Sequence, residues 1–235
     1  MINLILNEIK KIGVIKIILT FIIFLIVIII VYEFSDNMKN TIFSLIPFVG
    51  IMTSILFSGI ISGEIESGTF RFYLTKPVSR KRIYQSKLIT IMIYTICLLT
   101  FIFYIYKVLC QNIDKEYFVK FVKYSSSLLI TNSIIIFLST IFRNTSVSVG
   151  ISISLLTFGM LITQLLLDIN LNIIQYTFLP YLDFSLFNDM KTLEAMNNIY
   201  NINLSINKGI IINVIYTYLI YMLGMTIFIK KDIKN

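Results

Sequence analysis

The residue types that could do chemistry are concentrated in one stretch, from Gly63 to Lys87. It carries two carboxylates, Glu64 and Glu66, then Gly68 and Thr69, and then Phe70, Tyr73 and Leu74 at i, i+3 and i+4. Cations are interleaved with these and follow them: Arg71, Lys76, Arg80, Lys81, Arg82 and Lys87. Catalysis has little to work with elsewhere. Histidine is absent, and Cys97 and Cys110 are too few for a zinc cluster or a disulfide framework. No Gly-x-x-x-x-Gly-Lys-Ser/Thr stretch exists to cradle phosphates. The chemistry on offer is recognition: paired charges and one apolar helical face that a partner could read.

What must position that stretch is a membrane. Of 235 residues, 57% are hydrophobic and 14% charged, and the mean hydropathy is +0.87. Such a chain lacks the polar surface a water-soluble domain of this length needs. A charge near the bilayer centre costs about 2.5–3.5 kcal/mol, so charge-free windows locate the spans. Six are long enough: 17–32, 40–63, 88–106, 124–142, 144–167 and 209–229. The fold class expected is all-α integral membrane, one transmembrane domain over residues 1–235. The first window reads as a retained anchor, since Tyr32-Glu33-Phe34 offers no small-residue cleavage site.

Six spans place both termini on one side. That side holds 13 of the 20 basic residues and a net charge of +9, against −1 on the other. By the positive-inside rule both termini and the loop 64–87 are cytoplasmic, and 168–208 is the long outer segment. The frequent isoleucine, asparagine and lysine suggest an AT-rich bacterial genome, hence a bacterial cell membrane. Ahead of the first span, Ile2, Ile5, Ile9 and Ile12 fall at helical spacing, which predicts an N-terminal interfacial helix. Within the outer segment, 169–182 is charge-free but too short to span, so re-entrant or interfacial helices are expected there.

Within the loop, Glu64 and Glu66 suit the positive end of a helix starting near Ser67 or Thr69. Phe70, Tyr73 and Leu74 give that helix its apolar face, and Pro77 ends it. Ser79 can cap a second helix that runs through Lys87 into the third span.

The order of these residues closely resembles the first cytoplasmic loop of type-2 ATP-binding-cassette exporter permeases. The matching positions are Glu64, Glu66, Gly68, Thr69, Arg71, Leu74, Pro77, Val78, Ser79, Arg80 and Lys87, and 228–233 resembles the family's terminus. Tyr73 stands where a second aliphatic residue is the family's habit. The resemblance implies a coupling helix that docks on a separate cytoplasmic ATPase. No cofactor would be bound by this chain; ATP and magnesium would sit on that ATPase. It further implies a second permease copy or paralogue, and no nucleic acid. The substrate class it suggests is that of small six-helix members of the bacitracin and lantibiotic-immunity kind: an amphipathic peptide, antibiotic or other hydrophobic compound. A membrane scaffold or sensor that docks an ATPase without moving a substrate is the alternative.

The windows contain no Asp, Glu, Lys or Arg and the chain no histidine, which disfavours ion-coupled carriage or intramembrane hydrolysis. Their polar residues are hydroxyls and amides, which serve helix packing in many membrane proteins. On the fifth window, Ser148, Ser152 and Gly159, with Ser154 and Thr157 around the turn, are candidates for a translocation path or dimer seam.

Overall fold

The computed structural model describes residues 1–34, 42–70, 78–110, 117–169, 172–184, 187 and 190–231. Its described regular structure is helical throughout. In chain order the helices are α1 (Ile2–Ile12), α2 (Val14–Phe34), α3 (Ile46–Phe57), α4 (Gly59–Glu66), α5 (Arg80–Cys110), α6 (Tyr117–Ile141), α7 (Thr145–Asp168), α8 (Met190–Tyr200) and α9 (Ile206–Lys230).

α2, the α3–α4 pair, α5, α6 and α9 are each long and apolar enough to cross a bilayer. α7 makes the sixth span if its two halves, bent by 52° between Gly159 and Leu161, count as one. The helices outrun the charge-free windows at their ends. α5 starts eight residues before its window, at Arg80, because charged first and last turns can stand outside hydrocarbon without ending the helix.

α6 is the central post. It packs against α9 along its length and also meets α3, α4, α5 and α7. It presents Ser126, Ser127, Thr131, Asn132, Ser133, Ser139 and Thr140 to the interior. Small hydroxyls allow close helix approach, and their protons return to the preceding turn: Ser126 donates to the Lys123 carbonyl and Thr131 to that of Leu128. Between helices, Asn132 Nδ2 reaches Thr95 Oγ1 at 2.8 Å.

Gly13 separates α1 from α2 with φ of 88°, a left-handed conformation that a β-carbon would strain. α1 therefore turns off the axis of the first span while keeping contact with α5. In the outer segment, Asn172–Tyr176 and Leu179–Tyr181 form 3₁₀ turns against α7. Tyr181, Phe184 and Phe187 are buried and pack on one another. Asn213 of α9 donates to the Tyr181 carbonyl at 3.0 Å, tying this cap to the last span. Among the described residues of 169–182, regular structure is limited to the two short 3₁₀ turns.

Candidate functional site

The singled-out loop leaves the end of α4, and its base is held by contacts with five other helices. At that end Ser67 N–H donates to the Gly63 carbonyl, Gly68 N–H to Ile65, and Phe70 N–H to Glu64 at 3.0 Å. Gly68 has φ of 70°, so the chain closes the helix through a left-handed residue, the usual role of glycine after a last turn. Thr69 Oγ1 lies 2.9 Å from Ser67 Oγ. Glu64 and Glu66 thus sit in the last turn of the second span. The helix they belong to ends there, and the helix expected to start near Ser67 or Thr69 would run through residues 71–77, outside the described residues.

Carboxylates at a helix C-terminus face the negative end of its dipole, so they need partners. Glu64 finds two. Its Oε2 is 2.9 Å from the Lys87 ammonium and its Oε1 is 2.6 Å from that of Lys11. Lys87 is fully buried and donates also to Glu8 Oε2 and to the Ile60 carbonyl, each at 2.9 Å. Lys11 lies 3.6 Å from Glu8. Two carboxylates and two ammoniums from α1, α4 and α5 meet in one cluster. Nothing in the spacing exposed this: 79 residues separate Glu8 from Lys87.

Glu66 finds the helix N-terminus that its charge suits, but on α7. Its Oε2 accepts from Thr145 N–H at 2.9 Å and from Thr145 Oγ1 at 2.7 Å. Asn144 caps the same end, accepting from Ser146 N–H at 2.9 Å. Gly59 and Gly63 let α4 run this close: a β-carbon on Gly63 would meet Thr145 Cγ2 at 3.1 Å.

The far end of the loop is fixed by two cations that cap helix C-termini. Arg80 donates to the carbonyls of Ile229 and Lys231, both at 2.9 Å, and so holds the end of α9. Lys231 in turn donates to the carbonyls of Thr140 and Ile141, the last residues of α6. Burial, with the Arg143 charge nearby, lowers the Lys231 pKa below the usual lysine range. The Ser79 carbonyl accepts from Ile83 N–H, so α5 begins where Ser79 was expected to cap it.

Phe70 departs from expectation. It was assigned to the partner-facing side of the loop; it is fully buried, its ring 5.4 Å from that of Phe228 and perpendicular to it. Helical spacing with Tyr73 and Leu74 marks a common face without saying what covers it. Arg71, Tyr73, Leu74 and Pro77 lie outside the described residues.

The fifth-helix candidates divide in two. Ser148 and Ser152 are fully buried inside this chain: Ser148 Oγ donates to the Ser58 carbonyl at 2.9 Å, and Ser152 Oγ lies 2.9 Å from Ser58 Oγ. With Ser54, Ser58 and Ser62 they form a hydroxyl seam between α3–α4 and α7, so both side chains are occupied within this chain. Gly159 is also buried, with Leu182 close to where its β-carbon would stand. Ser154 and Thr157 are exposed and donate only to their own helix's carbonyls.

Thr157 also lines a cavity of about 320 Å³ in the half of the bundle away from the loop, between α3, α6, α7 and the 3₁₀ cap. Phe48, Ile51, Thr131 and Leu182 contribute to its walls, and Asp183 is its one charged lining residue.

A protein-family model described as "ABC-2 family transporter protein" matches residues 30–233. Among curated proteins, "Uncharacterized protein YhcI" of Bacillus subtilis (strain 168) is 26% identical over 211 residues. The match covers 79% of this chain and 65% of that protein, so the chain spans slightly less than two thirds of the relative's length. The family match takes in the last five residues of α2 and every later span, and with them the loop, its clamps and the 3₁₀ cap: the chain belongs to the ABC-2 family of membrane transporter proteins.

Proposed function

We propose that this chain is the permease subunit of an ATP-driven exporter, and that segment 71–77 is the part of it that a cytoplasmic ATPase grips. The observation that carries this reading is the anchoring of both ends of that segment. Phe70 on one side is sunk against Phe228, and Arg80 on the other holds the end of α9. Glu66 joins the base to α7, and Lys231 joins α9 to α6. A push on a segment held this way reaches spans two, three, five and six without crossing a flexible joint.

Hydrolysis belongs to a separate chain, where ATP and magnesium bind. Arg71, Tyr73 and Leu74 are the residues offered to it. The basic end of the bundle, with both termini, faces the cytoplasm of a bacterial cell.

The outer cavity serves as part of the path, with Thr157 and Thr131 as its hydroxyls and Phe48 and Ile51 as apolar walls. The mix of hydroxyls and apolar walls suits an amphipathic substrate such as a peptide antibiotic. A second copy covers the exposed stripe of α7, where Val147, Ile151, Ser154, Phe158, Leu161 and Leu165 recur at alternating spacings of four and three. Gly150 stands on the same side, with open space where a side chain would be.

The deciding experiment is copurification of this chain with its candidate ATPase, comparing wild type with Leu74→Asp. Release of the ATPase while the membrane protein still accumulates supports the coupling reading. Assembly indifferent to Leu74→Asp removes it. An ATPase that docks but whose hydrolysis never moves a substrate would leave this chain a scaffold or sensor.

A further inference from the structure

The cavity away from the loop has an end wall that no span supplies. Along α6 it runs from Ser127 to Thr131, and at the Ser127 end it meets Leu182 and Asp183, which follow the second 3₁₀ turn. Two side chains hold this segment by its backbone. Ser127 Oγ of α6 donates to the Leu182 carbonyl, and Asn213 Nδ2 of α9 donates to the adjacent Tyr181 carbonyl at 3.0 Å. The other end of that amide, Asn213 Oδ1, is buried without a hydrogen-bond partner among the described residues, so the amide's hold is on this segment. Leu182 also sits at the bend of α7: its Cδ1 would lie 3.2 Å from a β-carbon on Gly159, where the first half of that helix ends.

A segment fixed this way is displaced more readily than a span. Neutral hydrogen bonds contribute modestly once water's competition is counted, and the spans have continuous ladders of them where this segment has two latches. The two donors stand on helices that are tied together at the loop. Arg80 holds the end of α9 and Lys231 joins α9 to α6, while Asn213 and Ser127 lie in the first halves of the same two helices. A shift of α9 against α6 that starts at the loop changes the spacing between Ser127 and Asn213, and one short segment cannot then keep both bonds.

We propose that residues 179–184 are the release gate of this cavity, latched by Ser127 and Asn213. The inference rests on the cavity being part of the export path, with this end facing outward. Loss of the two bonds frees Leu182 from Gly159 and opens the cavity on the side opposite the ATPase. Ser127 and Asn213 act through the segment they hold, as positioning residues.

The test is water access to the cavity in the full-length chain. Thr131→Cys, in a background of Cys97→Ser and Cys110→Ser, is treated with a membrane-impermeant maleimide added outside right-side-out vesicles. With the latch intact, labelling should be much slower than that of Asn203→Cys, an exposed position of the outer segment. Ser127→Ala and Asn213→Ala should each raise the Thr131→Cys rate about fivefold, the factor corresponding to about 1 kcal/mol for one neutral hydrogen bond. Ser127→Thr, which keeps the hydroxyl, should leave it slow. If Asn213→Ala accumulates poorly, the comparison of Ser127→Ala with Ser127→Thr decides alone. Labelling as fast as that of Asn203→Cys with the latch intact, or a rate that neither latch variant changes, overturns the gate. The path is tested separately, by export from the latch variants with Thr131 restored. If those variants open the cavity and export is unaltered, the gate stands and the cavity loses its place on the path.

Discussion

Glu66, the last residue of α4, grips Thr145, the first residue of α7, through both its backbone N–H and its hydroxyl. The two are 79 residues apart, and the contact is the shortest route from the base of the loop to the fifth span. A carboxylate at this position matches the partial positive charge of the helix end, which a neutral amide does less well. Being exposed, it contributes little to stability. Glu66→Gln is expected to leave the thermal midpoint nearly unchanged and to keep the ATPase bound. Substrate-stimulated hydrolysis should fall, because an amide oxygen ties the loop to α7 more weakly than the carboxylate does. Basal and stimulated hydrolysis measured on the reconstituted complex separate these effects; a loss of stimulation no larger than that of Lys81→Gln would leave the contact without a coupling role.

The Glu8–Lys87–Glu64 cluster behaves differently because it is buried. Taking away one member of such a pair strands a charge, at a cost of roughly 3–5 kcal/mol. Lys87→Met leaves Glu8 and Glu64 to share the half-exposed Lys11 and should prevent accumulation or sharply lower the midpoint of thermal aggregation. Lys11, 47% exposed, is the control: Lys11→Met should cost no more than about 1 kcal/mol. Comparable midpoints for the two variants would show that water reaches Lys87.

Phe70 and Leu74 separate folding from docking. Phe70 is buried on Phe228, and removing a buried phenylalanine ring costs roughly 3–5 kcal/mol. Phe70→Asp should therefore reduce the amount of folded chain in the membrane, with ATPase binding falling only in proportion. Leu74→Asp should leave the amount intact and lower ATPase binding per folded chain. Fluorescence-detected gel filtration of the membrane chain, alongside quantitation of bound ATPase, reads both. If Phe70→Asp accumulates normally yet loses the ATPase, its side chain faces the partner after all.

The spans were legible because charge is expensive in hydrocarbon and the penalty is local: five windows fall within single helices or the α3–α4 pair, apart from end residues, and the sixth coincides with bent α7. The N-terminal helix was legible from its isoleucine spacing, and the start of α5 from Ser79. What stayed hidden depends on partners far away in the chain. Periodicity assigns Phe70, Tyr73 and Leu74 to one face but cannot say that Phe228 covers the first of them. Of the acidic pair, Glu66 meets the positive end of α7 and Glu64 meets two ammoniums instead, and nothing local announces Thr145, Lys11 or Lys87. Hydroxyls occur all around α7, so composition could not tell Ser152, facing Ser58, from Thr157, facing outward.

That division of α7 gives the sharpest test of the path. Ser152 is fully buried and lies 2.9 Å from Ser58 Oγ in a seam built of small hydroxyls. Leucine there adds volume where two helices touch, and overpacking of this kind costs roughly 1–3 kcal/mol. Ser152→Leu should lower the thermal midpoint and reduce the amount of chain in the membrane, and activity per folded chain should survive. Thr157 is exposed on its helix and lines the outer cavity. Thr157→Leu gives up only a bond to its own helix's carbonyl and narrows the cavity, so stability should hold while export changes. Asp183→Asn, which keeps the side chain's shape and removes the only charge in the lining, should weaken a cationic substrate more than a neutral one. Export of a cationic peptide and of a neutral lipophile by reconstituted vesicles, each normalised to folded protein, distinguishes the cases. Unchanged export of both substrates in Thr157→Leu and Asp183→Asn would move the path elsewhere, and the exposed stripe of α7 would then be left to the second copy alone.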